Sequence, residues 1–141
     1  MNFNDYLIIV VVGLSHSGKT TLCKNSISTH ILYDDFIPSF YEGKIMNDIK
    51  DKKKIVLNDP RLCNYKTFRL FMEIFEKYTK KKDILVILFE NDTESCIRNI
   101  DIEQNLNVEN NILFNSRNYH IKNYINYNNI ILPVFRKNVF R

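Results

Sequence analysis

The segment Gly13-Leu14-Ser15-His16-Ser17-Gly18-Lys19-Thr20 matches the spacing G-x-x-x-x-G-K-[ST], in which a glycine-bracketed loop aims successive backbone N–H groups at an anion. Of the three glycines in the chain two stand in this segment, so the residue type that permits tight turns is concentrated where the pattern needs it. The chemistry these residues support is the binding of a nucleoside triphosphate. Lys19 is expected to neutralise the β and γ phosphates and the Thr20 hydroxyl to ligate a magnesium ion. Gly13, Ser15, His16, Ser17, Gly18 and Thr21 complete the cofactor-binding set, with His16 lining the loop by its backbone. Acids supply the remaining chemistry. Asp34 is the candidate base for the proton of a hydroxyl attacking in line, and its neighbour Asp35 suits a helix cap. Asp59 is expected to hold the magnesium ion through water or to orient the attacking group, and Arg61, in Asp59-Pro60-Arg61, is placed to hold a substrate phosphate.

Such a loop works only when a strand delivers it and a helix receives it. Tyr6 to Val12 is an unbroken apolar run rich in β-branched residues, the form of a strand buried on both faces of a parallel sheet, and Thr20 to Ser28 can continue as a helix. Ile31-Leu32-Tyr33 predicts a short strand ending in Asp34-Asp35, followed by a loop or partly helical stretch from Phe36 to Lys50. Lys54 to Asp59 predicts a strand closed by an acid. Phe68, Phe71, Met72, Phe75 and Tyr78 recur at helical spacing, which predicts a long helix over Leu62 to Lys80 with an aromatic stripe packed on the sheet. Ile84 to Phe89 predicts another doubly buried strand and Thr93 to Asn99 a helix. Asp101 to Val108 is polar and aperiodic, Ile112 to Tyr127 has helical character, and Ile130 to Phe135 predicts the last strand.

Apolar runs alternating with helical stretches give the α/β class, a mostly parallel sheet with covering helices. Ligands of such sheets bind beyond the carboxyl ends of the strands. Asp34, Asp35, Asp59, Arg61, Glu90, Arg136 and Lys137 follow strands and fall on that edge. The runs Lys52-Lys53-Lys54 and Lys80-Lys81-Lys82 precede strands and fall on the opposite edge, where they are read as solvated ends, with a nucleic-acid track as the other reading.

At 141 residues the chain is expected to form a single domain, 1–141, and a hydrophobic content of 45% argues against disorder. No apolar run approaches the length of a membrane span and the apolar start is consumed by the first strand, so the expectation is a soluble, cytoplasmic protein without a signal peptide. Cys23, Cys63 and Cys96 are far apart and lack C-x-x-C spacing, which suits a reducing compartment better than a disulfide or zinc site. A net charge of +4 tolerates an anionic substrate without by itself naming nucleic acid.

The order of motifs, up to Asn99, resembles the polynucleotide kinase-like branch of P-loop kinases, within the AAA-type and zeta-toxin-like P-loop nucleotide kinases. Gly13 to Thr20 looks like its phosphate loop, and Tyr33-Asp34-Asp35-Phe36 is similar to its Asp-Asp-aromatic base segment. Ile55 to Asp59 looks like its acid-terminated third strand, and Arg98-Asn99 resembles the Arg-Asn at the start of its lid. The resemblance implies a P-loop NTPase three-layer sandwich with a five-stranded sheet in kinase-like strand order, and ATP with Mg2+ as cofactors. It also implies Asp34 as general base and Arg98 as the lid arginine that stabilises the transferring phosphoryl. Ile37 and Pro38 stand where the family places an acceptor-holding arginine. Ile100 to Leu106 lacks the second lid arginine, for which Arg117 is the available substitute.

The expected activity is transfer of the γ-phosphoryl of ATP to a hydroxyl or phosphate of a small acceptor: a nucleoside, a nucleotide or a polynucleotide 5′ end. The alternative is an accessory or switch protein that binds or slowly hydrolyses ATP. A GTPase is disfavoured, because Asp59-Pro60-Arg61-Leu62 lacks the glycine of Asp-x-x-Gly and no Asn-Lys-x-Asp follows the fourth strand.

Overall fold

In the computed structural model, which describes residues 2–100 and 106–136, five strands form one sheet: β1 (Ile8–Val12), β2 (Ile31–Asp34), β3 (Ile55–Asn58), β4 (Ile84–Phe89) and β5 (Asn128–Leu132). Every neighbouring pair is parallel, and the order across the sheet is β2-β3-β1-β4-β5. The three central strands are buried along their whole length, which is why they read as continuous aliphatic runs and not as alternating ones. Helices α1 (Lys19–Ser26), α2 (Lys44–Lys50), α3 (Tyr65–Glu76), α4 (Thr93–Arg98) and α5 (Leu106–Ser116) occupy the connections. Among the described residues no helix is long and apolar enough to cross a membrane.

The direction of each connection decides which face its helix covers. The step from β1 to β2 runs toward one side of the sheet and the steps to β3, β4 and β5 run toward the other, so right-handed crossovers put α1 alone on its face. The core divides accordingly. Ile8, Val10 and Val12 share a cluster with Ile49 of α2, Phe68 and Met72 of α3, Cys96 of α4 and Ile112 of α5. Ile9 and Val11, pointing the other way, share theirs with Cys23 of α1 and Ile27 just beyond it. Of the aromatic stripe, Phe68, Phe71, Met72 and Phe75 are buried, and Phe36 meets Phe71 edge-on at 5.1 Å. Tyr78 lies past the helix end and is exposed.

Several boundaries differ from those expected, each for a local reason. Helix α3 starts at Tyr65 and not at Leu62, because Asn64 Oδ1 accepts the N–H groups of Lys66 (3.0 Å) and Thr67 (3.3 Å), while Pro60–Cys63 forms a separate 3-10 turn. Phe36 to Lys50 divides into a 3-10 turn, Ile37–Glu42, and α2. Helical character expected up to Tyr127 ends with α5 at Ser116 and is followed by a 3-10 turn, Ile121–Tyr124. Two buried tyrosines pin this stretch: Tyr119 donates its hydroxyl to the Phe89 carbonyl, and Tyr124 donates to that of Leu62 at 2.7 Å. Strand β5 begins at Asn128 and stops at Leu132, since Pro133 has no N–H to extend the ladder. Of the polar stretch Asp101 to Val108, residues 101–105 lie outside the described residues and the rest opens α5.

Candidate functional site

The loop after β1 runs to Gly18, which caps α1 at φ 107°, a left-handed conformation that favours glycine. Space adds a second requirement. A Cβ at Gly18 would lie 2.9 Å from Phe135 Cβ, and one at Gly13 would lie 2.7 Å from Ser17 Oγ and 3.0 Å from Phe89 Cβ. His16 is also left-handed, at φ 64°. Its carbonyl accepts from Asn99 Nδ2 at 3.0 Å, and its Nδ1 lies 3.0 Å from Ser15 Oγ.

Lys19 is only 6% exposed and donates from Nζ to the Leu14 carbonyl at 2.7 Å. Burial pushes its pKa below the ordinary lysine value. The first groups that could oppose this, Cys63 and Cys96, are themselves pushed up to about 12 by burial and are uncharged at neutral pH. Asp35 and Asp34 are left as the counter-charges of this lysine. Two buried side-chain oxygens at the same end of the sheet lack a hydrogen-bond partner among the described residues: Ser17 Oγ and Asn58 Oδ1. The cleft beside them encloses about 330 Å³ and is lined by Ser15, His16, Gly18, Lys19, Thr20, Thr21, Asp34, Asp35, Asn58 and Pro60.

The carboxylates are arranged differently from the expectation. Thr20 Oγ1 donates to Asp34, with its two oxygens at 3.3 and 3.4 Å, so the acid beside the candidate metal-binding hydroxyl is Asp34. Asp35 follows at φ 46°, and burial, then the nearby Asp34 and Asp59, raise its pKa. Asp59 is 0% exposed and does not line the cleft. Its Oδ1 accepts the Arg61 N–H at 2.9 Å, while Oδ2 accepts the Ile37 N–H at 3.1 Å and Arg61 Nη1 at 3.4 Å. That carboxylate ties the turn after β2 to the turn after β3. Strand β3 ends one residue earlier than expected, and Asn58 takes the cleft position in its place.

Of the expected cations, Arg61 pairs with Asp59. Arg98 is exposed and pairs with Glu94 one turn back on α4. Its neighbour Asn99 faces inward and reaches the loop, donating to both His16 and Phe135 carbonyls. Of the Arg98-Asn99 pair, the second member contacts the loop and the first does not. Arg117 is exposed in the turn after α5 and is not among the cleft-lining residues. Arg136 lies 3.9 Å from Asp92, Glu90 is exposed with its N–H on the Leu132 carbonyl at 2.9 Å, and Lys137 lies outside the described residues. On the other side of Gly18 and Thr21, an apolar groove of about 370 Å³ is walled by Leu22, Phe89, Leu132, Pro133, Val134 and Phe135.

Over 140 residues the chain is 39% identical to the uncharacterized protein R277 of Acanthamoeba polyphaga mimivirus, an alignment that takes in 94% of this chain and 99% of that one. No family model matches the chain, and no solved structure matches it. At that identity and coverage the chain belongs to the family of this mimivirus protein.

Proposed function

We propose that the chain is an ATP- and magnesium-dependent phosphotransferase of the P-loop kinase type. It would transfer the γ-phosphoryl to a hydroxyl or phosphate of a small acceptor or of a polynucleotide 5′ end. The observation that carries this reading is the convergence of the buried Lys19, the Thr20–Asp34 pair and the unpartnered oxygens of Ser17 and Asn58 at the carboxyl end of one parallel sheet. The residues fit a polyphosphate: helix α1 opens on Gly18 without a side-chain cap, leaving its first N–H groups and its positive dipole end for an anion. They fit magnesium as well. Among the described residues no group of three or more His, Cys, Asp or Glu side chains could hold a metal ion, and magnesium is commonly held by one or two protein oxygens with phosphate and water completing its shell. The order β2-β3-β1-β4-β5 also supports a kinase-type arrangement, because β1 and β3, whose following connections leave in opposite directions, are neighbours and open a crevice between their loops.

Bound magnesium would supply charge neutralisation at the phosphate oxygens. The chain's own groups perform the remaining tasks. The loop amides and Lys19 hold the phosphates, with Lys19 exchanging the Leu14 carbonyl for a phosphate oxygen. Thr20 and Asp34 would hold the metal. Asp35, which lines the cleft and whose carboxyl binds a proton more readily than usual, accepts the acceptor's hydroxyl proton, a division of labour that leaves Asp34 on the metal side. The apolar groove beside Thr21 offers the base a dry surface.

Labelled ATP with a panel of nucleoside, nucleotide and oligonucleotide acceptors tests the reading. Transfer to an acceptor is expected, lost in Lys19→Ala and reduced about 100-fold or more in Asp35→Asn with ATP affinity retained. A second reading, an ATP-binding accessory protein, is favoured by one observation: no arginine lines the cleft, and Arg98 is engaged by Glu94. Nucleotide binding with phosphate release alone would select it. No affinity for any nucleotide in the presence of magnesium would overturn both.

A further inference from the structure

We infer that the opposite, amino-end edge of the sheet is a second binding surface, shaped for the backbone of single-stranded nucleic acid. This stands apart from the nucleotide reading and uses none of the residues of the cleft. Helices α2 and α3 both end at this edge, and the loops that return them to β3 and β4 are the two lysine-rich segments. Because β3 and β4 flank β1, the start of β1 holds the two loops side by side. The Leu7 N–H donates to the Asp83 carbonyl at 2.9 Å, and the Leu7 carbonyl accepts from Ile55 at 2.9 Å. Lys52 adds a cross-link by donating from Nζ to the Tyr78 carbonyl.

Both loops are strongly basic. Residues 50–54 and 76–83 contain eight lysines against Asp51, Glu76 and Asp83, a net of five positive charges, whereas the entire chain carries +4. Residues 110–141 hold a further five Lys and Arg and no acid, and the rest of the chain is acidic in balance. All eight lysines are exposed. One of them, Lys53, has an ion pair among the described residues, with Asp48 at 3.6 Å. Lys52 stands at φ 59°, where glycine or asparagine would be more comfortable, at a cost of about 1 kcal/mol. Like charge gathered this way is self-repulsive and is relieved by a polyanion, which releases condensed counterions as it binds.

Shape and aromatic content narrow the polyanion. Between the loops lies a groove of about 430 Å³, in whose lining Lys52, Lys77, Lys80 and Lys82 outnumber Glu76 and Asp83, with Tyr78 and Leu7 among them. Tyrosine rings alternate with the charges: Lys50 Nζ is 5.4 Å from the Tyr78 ring centre and Lys81 Nζ is 4.7 Å from that of Tyr127. Phosphate-binding lysines interleaved with rings suit a strand whose bases are unpaired and free to stack. A lipid surface would call for projecting apolar side chains, and Leu7 is half-buried.

The test uses the full chain and a fluorescent single-stranded DNA of about 20 nucleotides, read by anisotropy across a salt series. With about four phosphate contacts, affinity should fall about fifty-fold between about 50 and about 200 mM salt. Lys80→Glu/Lys82→Glu should weaken binding at least about tenfold and flatten the salt slope, with nucleotide affinity unchanged and the thermal midpoint not lowered. No saturable binding at the lowest salt would overturn the proposal. So would binding that ignores the charge reversal, or binding of phosphatidylserine vesicles without binding of the oligonucleotide.

Discussion

At the scale of single residues, the loop between β1 and α1 is specified by what its glycines exclude. Gly18 and Gly43 are both left-handed, at φ 107° and 91°, but they differ in surroundings: a Cβ at Gly18 meets Phe135 at 2.9 Å and one at Gly43 meets nothing within 4 Å. The pair therefore separates backbone strain from steric contact. Gly43→Ala should cost only the left-handed penalty of about 1 kcal/mol. Gly18→Ala adds displacement of Phe135 and should cost about 2 to 3 kcal/mol, together with a measurable loss of nucleotide affinity. Urea denaturation of the two variants compares them directly, and equal losses would mean that the Phe135 contact does not constrain the loop. Spacing in the chain announces both loop glycines, but it does not reveal that a ring from beyond β5 closes over one of them.

At the scale of elements, the strands with the strongest signal were those buried on both faces, since an uninterrupted aliphatic run such as Ile84–Phe89 admits few other readings, and here the observed and expected limits coincide. The weaker readings failed where a single side chain decides the boundary. Asn64 caps α3 three residues later than the aromatic periodicity suggests, and Asp59 becomes a cap because β3 ends at Asn58. A one-residue shift at a strand end exchanges which side chain faces the cleft, and periodicity alone does not resolve it. The junction from α1 to β2 rests on another such residue. His30 is buried, with Nε2 at 2.7 Å from the Tyr6 carbonyl and Nδ1 at 3.0 Å from Thr29 Oγ1, an environment that satisfies a neutral ring. Burial lowers its pKa, Lys54 lowers it further, and the Tyr6 carbonyl opposes them. With the folded value below the unfolded one, the unfolded chain binds more protons, so stability is full above the unfolded pKa of about 6.5 and is lost as pH falls through it. Urea unfolding at about pH 7.5 and about pH 5.5 should show a loss of at most about 1.4 kcal/mol that disappears in His30→Gln. A wild-type stability that does not change between these conditions would show that the imidazole stays accessible to protons in the fold.

At the scale of the whole molecule, the two ends of the sheet carry different chemistry, and the cleft end is assembled from parts of the chain that lie far apart. Besides its own strand and helix, the loop between β1 and α1 is held by the Phe135 N–H on the Ser17 carbonyl at 3.0 Å and by Asn99 Nδ2 on the His16 carbonyl at 3.0 Å, a contact across 83 positions. Asn99 also donates to the Phe135 carbonyl, so one buried amide joins the end of α4, the extension beyond β5 and the loop. The resemblance that directs attention to Arg98 cannot show this, because α4 turns Arg98 outward to Glu94 and its neighbour inward. Removing the amide leaves two carbonyls short of a donor, and Asn99→Ala should therefore cost about 1 to 3 kcal/mol. On the proposed function it should also weaken nucleotide binding, by loosening the loop that would hold the phosphates. Arg98→Ala removes only a solvent-screened pair on the helix surface and should change stability by less than about 0.5 kcal/mol. Thermal denaturation and nucleotide titration of the two variants weigh them against each other. If Arg98→Ala proved the more destabilising and Asn99→Ala left the loop's affinity intact, the loop would be held by its own strand and helix, and the convergence of its distant supports would have no part in shaping the cleft.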